Sequence, residues 1–207
     1  MNIIEGGKEL LRRNLTFGTG GNLSERKKDG FLITPSGISY DCLEEKDLVL
    51  MDMEGSIVHG IHKPSSEWEM HRQIYRNFYK ANAVVHTHSK YVNILACTGE
   101  SLPAIHYLLA SVGGNSVDIA PYHTYGTKEL AEDAVKYMGN KKAVILANHG
   151  LITWGDSIKE ALDIAETVEF CSFLYVEAST FGTPTLISNK EMELMLEKFQ
   201  DYGPGKR

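Results

Sequence analysis

The sequence predicts an α/β or α+β protein in which helices cover a sheet. Short β-rich runs bounded by turn residues, longer segments with apolar residues at helical intervals, and the mixing of the two along the chain all point that way. Its 207 residues fit one domain at about 150 residues per domain. No Pro/Gly/Ser stretch is long enough to act as a linker, so the expectation is one domain over 1–207.

Residues 2–14 read as a helix, followed by the glycine-rich loop Gly18-Thr19-Gly20-Gly21-Asn22. Phe31–Thr34 and Asp47–Met51 read as short strands. Ser66-Glu67-Trp68-Glu69 has capping-box spacing, and Trp68, His71, Ile74, Tyr75 and Phe78 recur at helical intervals, which predicts a helix over 66–79. Ala83–His88 is an apolar, β-branched strand, and Ser89 can cap a short helix after it. Lys142–Ala147 reads as a buried strand with Leu151–Trp154 as its hairpin partner. A long helix is expected from Ser157 to about 178, and a last one over roughly 190–199. Residues 200–207 have the composition of a frayed tail, since Gly203, Pro204 and Gly205 cannot extend a helix.

Composition excludes several classes. With 21 Lys+Arg against 27 Asp+Glu the net charge is −6. No Lys/Arg cluster offsets it, which argues against nucleic acid and against an anionic membrane surface. No apolar run approaches the roughly 20 residues that span a bilayer, and the N-terminus lacks the pattern of a signal peptide. Cys42, Cys97 and Cys171 form no CxxC pair and are expected to be small buried hydrophobes of a reducing, cytoplasmic compartment.

Three local patterns can carry chemistry. In Val85-His86-Thr87-His88 a strand would project both imidazoles from one face, as two ligands of one ion or equally as a solvated pair. His149 follows an apolar strand beside Gly150, and three histidines match the ligand set of a catalytic zinc site with an open position. In Lys63-Pro64-Ser65-Ser66-Glu67 two hydroxyls stand where a helix N-terminus offers free N–H groups, an anion site or a plain cap. The glycine loop fails the dinucleotide fingerprint, because position 23 is Leu. It remains a close-approach loop with Asn22 as a donor, or an ordinary turn. His59, His62, His71, His106 and His123 are scattered and read mostly as surface or packing residues.

Taken together with Ile33–Gly37, Pro103–Tyr107, Gly113-Gly114-Asn115, Tyr125-Gly126-Thr127 and Glu197–Gly203, these stretches resemble the class II aldolase/adducin-head family in family order over nearly the whole chain. The resemblance implies αβα layers around a mostly antiparallel sheet, and a homotetramer with active sites between subunits. It implies Zn2+ held by His86, His88 and His149, with Glu67 completing the empty site and serving as acid/base. Asn22, Ser36, Gly37, Ser65 and Ser66 match the family's phosphate cradle. Tyr107 matches a proton-handling tyrosine, and Tyr202 a tail tyrosine that reaches a neighbour's site.

The implied reaction is reversible cleavage of a sugar phosphate, L-fuculose 1-phosphate, by a metal-dependent aldolase. Other branches cleave rhamnulose or 5-deoxypentulose 1-phosphates, epimerise ribulose 5-phosphate or dehydrate methylthioribulose 1-phosphate. Tyr125 stands where the fuculose branch carries Phe, and the epimerases usually carry Asp where Glu67 stands. A metal-free, adducin-like scaffold is expected to lose ligand histidines that this chain keeps.

Overall fold

A computed structural model describes residues 1–200. Its centre is an open eight-stranded sheet in the order β4-β3-β2-β1-β5-β8-β7-β6. The strands are β1 (Asn22–Lys27), β2 (Gly30–Ile33), β3 (Val49–Met51), β4 (Ile57–His59), β5 (Ala83–Thr87), β6 (Ile119–Ala120), β7 (Ala143–Leu146) and β8 (Gly150–Gly155). All neighbours pair antiparallel except β6 and β7. The expected mostly antiparallel sheet between helices is therefore present.

The helices are α1 (Ile3–Arg12), α2 (Trp68–Asn77), α3 (Lys90–Thr98), α4 (Lys128–Met138), α5 (Ile158–Phe181) and α6 (Asn189–Gln200). One core joins α1, α3, α5 and α6 to Leu23, Val85, Ile145 and Leu151 of the sheet. A second joins α2 and α4 to Phe31, Val84, Val144 and Ile152 on the opposite face. Alternate residues of one strand thus enter different cores, and β5, β7 and β8 are buried throughout. Covering both faces explains why these strands are mostly apolar and do not alternate with polar residues. No helix among the described residues is long and apolar enough to cross a membrane.

Several expectations are corrected. Strands β1, β4 and β6 and helix α4 are additional to the sequence-based elements. Helix α2 begins at Trp68, and neither Ser66 nor a capping box starts it: Glu67 occupies the cap position without a side-chain cap bond. Ser89 makes no side-chain cap at α3; the Glu169 carboxylate of α5 accepts the Tyr91 and Val92 N–H groups instead (3.0 Å each). Of the three free cysteines only Cys171 is buried, while Cys42 and Cys97 are exposed.

Candidate metal centre

The site lies where β5, the β7–β8 turn and the start of α2 meet. Register pairs His86 of β5 with Asn22 of β1 on one side and Ile152 of β8 on the other. His86 shares its face of β5 with Val84, which belongs to the α2–α4 core, so its side chain points towards α2. His88 follows two residues later, just past the strand. His149 ends the turn from β7 to β8, after Asn148 in the left-handed region (φ 53°). Gly150 keeps this arrangement open, since a Cβ there would stand 2.2 Å from the Thr87 carbonyl and 3.0 Å from the His88 ring. Gly21 does the same on β1's approach, where a Cβ would stand 2.5 Å from the His86 carbonyl at φ +71°.

Glu67, His86, His88 and His149 each offer a ligand atom, and these atoms all lie within 4.8 Å of one another. His86 donates from Nδ1 to the Leu151 carbonyl (2.9 Å), which leaves Nε2 to face the cluster. That Nε2 stands 2.9 Å from His88 Nε2 and 3.2 Å from Glu67 Oε2. Glu67 Oε1 lies 3.1 Å from His149 Nε2 yet is buried without a well-aligned hydrogen bond. Three imidazoles and a buried, under-satisfied carboxylate are the donor set of a divalent transition-metal site. The residues fit a metal.

Electrostatics agree. Burial alone would raise the Glu67 carboxyl, but His86 and His149 beside it hold it far below the usual carboxylate range. Burial, followed by the neighbouring His86 and His149, lowers His88 to about 3. The carboxylate stays ionised and His88 stays neutral near pH 7, as metal ligands must be. At His86 burial is outweighed by the Glu67 carboxylate, which raises it, and an incoming metal would displace that proton.

A cleft of about 440 Å³ opens over the cluster, within the range of small-molecule sites. It is lined by Asn22, Ser36, Gly37, Ser65 and Ser66, and by Glu67, His88 and His149, so the expected phosphate cradle meets the metal cluster. Two backbone bonds zip the cradle's loops together: Ser36 N–H to the Lys63 carbonyl and Ser65 N–H to the Thr34 carbonyl, 3.0 Å each. Ser65 Oγ accepts the Glu67 N–H (3.3 Å), tying the cradle to the carboxylate's own backbone. Tyr125, Tyr122 and His123 line the same cleft. Asp133 of α4 fixes His123 (2.8 Å), a pairing that single-residue reading did not signal.

Tyr107 is not brought to this cleft. It is about half exposed, packs at a tilt against His106 and borders a separate hollow with Leu108, Met195, Lys198 and Phe199. Of the expected tail 200–207, Gln200 is instead the last residue of α6, and Tyr202 with the rest of 201–207 lies outside the described residues.

Residues 1–176 match the Class II Aldolase and Adducin N-terminal domain family. The chain is 43% identical to a 5-deoxy-D-ribulose 1-phosphate aldolase of Bacillus thuringiensis over 203 residues, 97% of this chain and 95% of the relative. It is 42% identical to the L-fuculose phosphate aldolase of Escherichia coli K12 over 202 residues, 97% and 94% of the two chains. A solved L-fuculose 1-phosphate aldolase structure superposes with a TM-score of 0.93 at 46% identity, covering 96% of this chain and 94% of that one. The chain belongs to the class II aldolase and adducin N-terminal domain family. Within it the chain is a class II aldolase, a metal-dependent lyase.

Proposed function

We propose that the enzyme cleaves L-fuculose 1-phosphate reversibly into dihydroxyacetone phosphate and L-lactaldehyde, with zinc held by His86, His88, His149 and Glu67. The observation that carries this reading is the convergence of three imidazoles and a carboxylate at the floor of a hydroxyl-lined cleft. Similarity to L-fuculose phosphate aldolases along almost the whole chain supports the sugar. A divalent ion supplies electrostatic stabilisation of the negative charge that develops on the ketose half as C3–C4 breaks.

The chain's own residues do the rest. Asn22, Ser36, Gly37, Ser65 and Ser66 bind and orient the phosphate. Once substrate displaces it from the histidine cluster, Glu67 would take up a proton from solvent and pass it to C3 in the cleavage direction. Tyr107, outside its own chain's cleft, would as the phenolate take the C4 hydroxyl proton in the site of a neighbouring subunit of a homotetramer and return to the phenol. Tyr202 closes over the aldehyde half there. The reading describes a cytoplasmic enzyme of fucose metabolism.

One observation favours a second sugar. The 5-deoxy-D-ribulose 1-phosphate aldolase is as similar as the fuculose enzymes, and Tyr125, in the cleft, stands where a Phe is expected for fuculose. The deciding experiment is a kcat/KM panel over fuculose, rhamnulose, 5-deoxyribulose and methylthioribulose 1-phosphates and ribulose 5-phosphate. Preference for fuculose 1-phosphate supports the proposal. Preference for 5-deoxyribulose or methylthioribulose 1-phosphate with aldehyde release moves the assignment to the second reading, preference for rhamnulose 1-phosphate moves it to that sugar, and preference for ribulose 5-phosphate overturns the aldol assignment.

A further inference from the structure

Behind the cleft, β1 and α2 are joined by a buried polar ladder whose inner members Ser24, His71 and Tyr75 the catalytic reading does not use. Asn22 and Ser24 project from one face of β1, two residues apart, and Glu67, His71 and Tyr75 follow one another at four-residue spacing along α2. Two strand residues rise about 6.7 Å and four helical residues about 6 Å, so the rungs stay in step. The bonds run from Tyr75 Oη to Ser24 Oγ (2.8 Å), Ser24 Oγ to His71 Nδ1 (2.6 Å), His71 Nε2 to Asn22 Oδ1, and Asn22 Nδ2 to Glu67 Oε2 (2.9 Å). Each of these side chains is at least nine-tenths buried.

Only one direction satisfies every group. An ionised carboxylate can only accept, so Asn22 must donate to Glu67 through Nδ2 and present Oδ1 to His71. His71 must then carry its proton on Nε2, which leaves Nδ1 to accept from Ser24, whose oxygen in turn accepts from Tyr75. Complete burial, before the smaller influence of neighbouring His86, holds His71 neutral, with its imidazole lowered to about 3. At the far end Arg26, next on the same face of β1, donates to the Tyr75 and Phe78 carbonyls (2.7 and 3.2 Å) and fixes the end of α2.

The geometry points to His71 as a positioning residue: through Asn22 it fixes the rotamer of the Glu67 carboxylate, and Ser24 and Tyr75 fix the tautomer it needs. The inference rests on the proposed role of Glu67 and adds the residues that aim it. If the tautomer were reversed, Asn22 would turn its oxygen towards the carboxylate and push it out of place. Such outer partners change metal affinity or activity by about 10–100-fold when lost.

The test compares His71→Leu, His71→Gln and Ser24→Ala with the parent, as full chains. Zn2+ affinity is measured by chelator competition, and kcat and KM are measured on the preferred ketose phosphate. His71→Leu should lose about 10–100-fold in Zn2+ affinity and in kcat, with KM little changed. His71→Gln can still donate to Asn22 and should recover most of both losses, which no general loosening of the core would do. Ser24→Ala should fall between.

A parent that binds Zn2+ and turns over, with His71→Leu at parental values or His71→Gln impaired as severely as His71→Leu, overturns the inference and leaves the proposed function standing. A parent that binds no Zn2+ overturns the proposed function and the inference with it. Should His71→Leu fail to fold, Ser24→Ala decides: parental Zn2+ affinity and kcat overturn the inference, and a fall in both supports it.

Discussion

Glu67 holds two positions at once. Its backbone caps α2, where its carbonyl accepts the Met70 N–H at 3.0 Å, while its carboxylate turns away from the helix towards His86 and His149. A carboxylate spent on capping would have stayed with its own first turn. Glu67→Gln keeps the size and the Asn22 contact but removes the base. General acid–base groups contribute about 10²–10⁴-fold in rate, so kcat should drop by that order while the three histidines retain the metal. Metal analysis and steady-state kinetics on one preparation check this, and a metal-loaded variant turning over at the parental rate reduces Glu67 to a helix-start carboxylate.

At the scale of elements, α3 begins under the carboxylate of Glu169 rather than under its own Ser89. Loss of a cap costs about 0.5–2 kcal/mol. Glu169→Ala should lower the urea-unfolding free energy by about 1 kcal/mol while kcat stays parental, because α3 packs on the face of the sheet away from α2. An unchanged midpoint would mean that solvent caps these amides equally well.

The apolar elements were legible for the same physical reason. Strands β5, β7 and β8 are covered on both sides and so are mostly apolar, unbroken in β7 and interrupted by His86, Thr87 and Thr153 in the other two. Strand β1 was not, because its sequence Asn-Leu-Ser-Glu-Arg-Lys has one apolar residue. Its buried polar side chains are satisfied by α2, some 45 to 51 positions away in sequence. Helix α4 carries a Thr127 cap, yet its buried face has only two large apolar residues, Leu130 and Met138, beside Ala131 and Ala134, which gives a thin apolar stripe. In the site, the same-face His86 and His88 were readable from a two-residue spacing. His149 was readable as a third ligand from its place after an apolar strand, the part of Glu67 came from the family resemblance, and His71, taken for a surface or packing residue, gained its role only from partners distant in sequence.

For the whole molecule, His71 links the fold to pH. Its imidazole sits at about 3 in the folded chain against about 6.5 when unfolded. Between those values the unfolded chain binds the extra proton, so stability falls as pH drops from about 6.5 towards 3, by up to about 1.4 kcal/mol per pH unit for this group. Above pH 6.5 the group contributes no slope. Urea unfolding at pH 7 and pH 5.5 should show a steeper acid loss for the parent than for His71→Gln. Equal slopes would mean that His71 takes up its proton without leaving the fold.

The four-residue cluster under the cleft is the feature on which the whole account turns. Its most direct test is metal content measured together with activity on one purified sample, before chelation, after it, and after zinc is returned. The account predicts about one divalent ion per chain at the outset, cleavage of a ketose 1-phosphate lost when the ion is stripped, and recovery on adding zinc to the parent but not to His149→Ala. Full aldol cleavage by protein stripped of stoichiometric metal would contradict it.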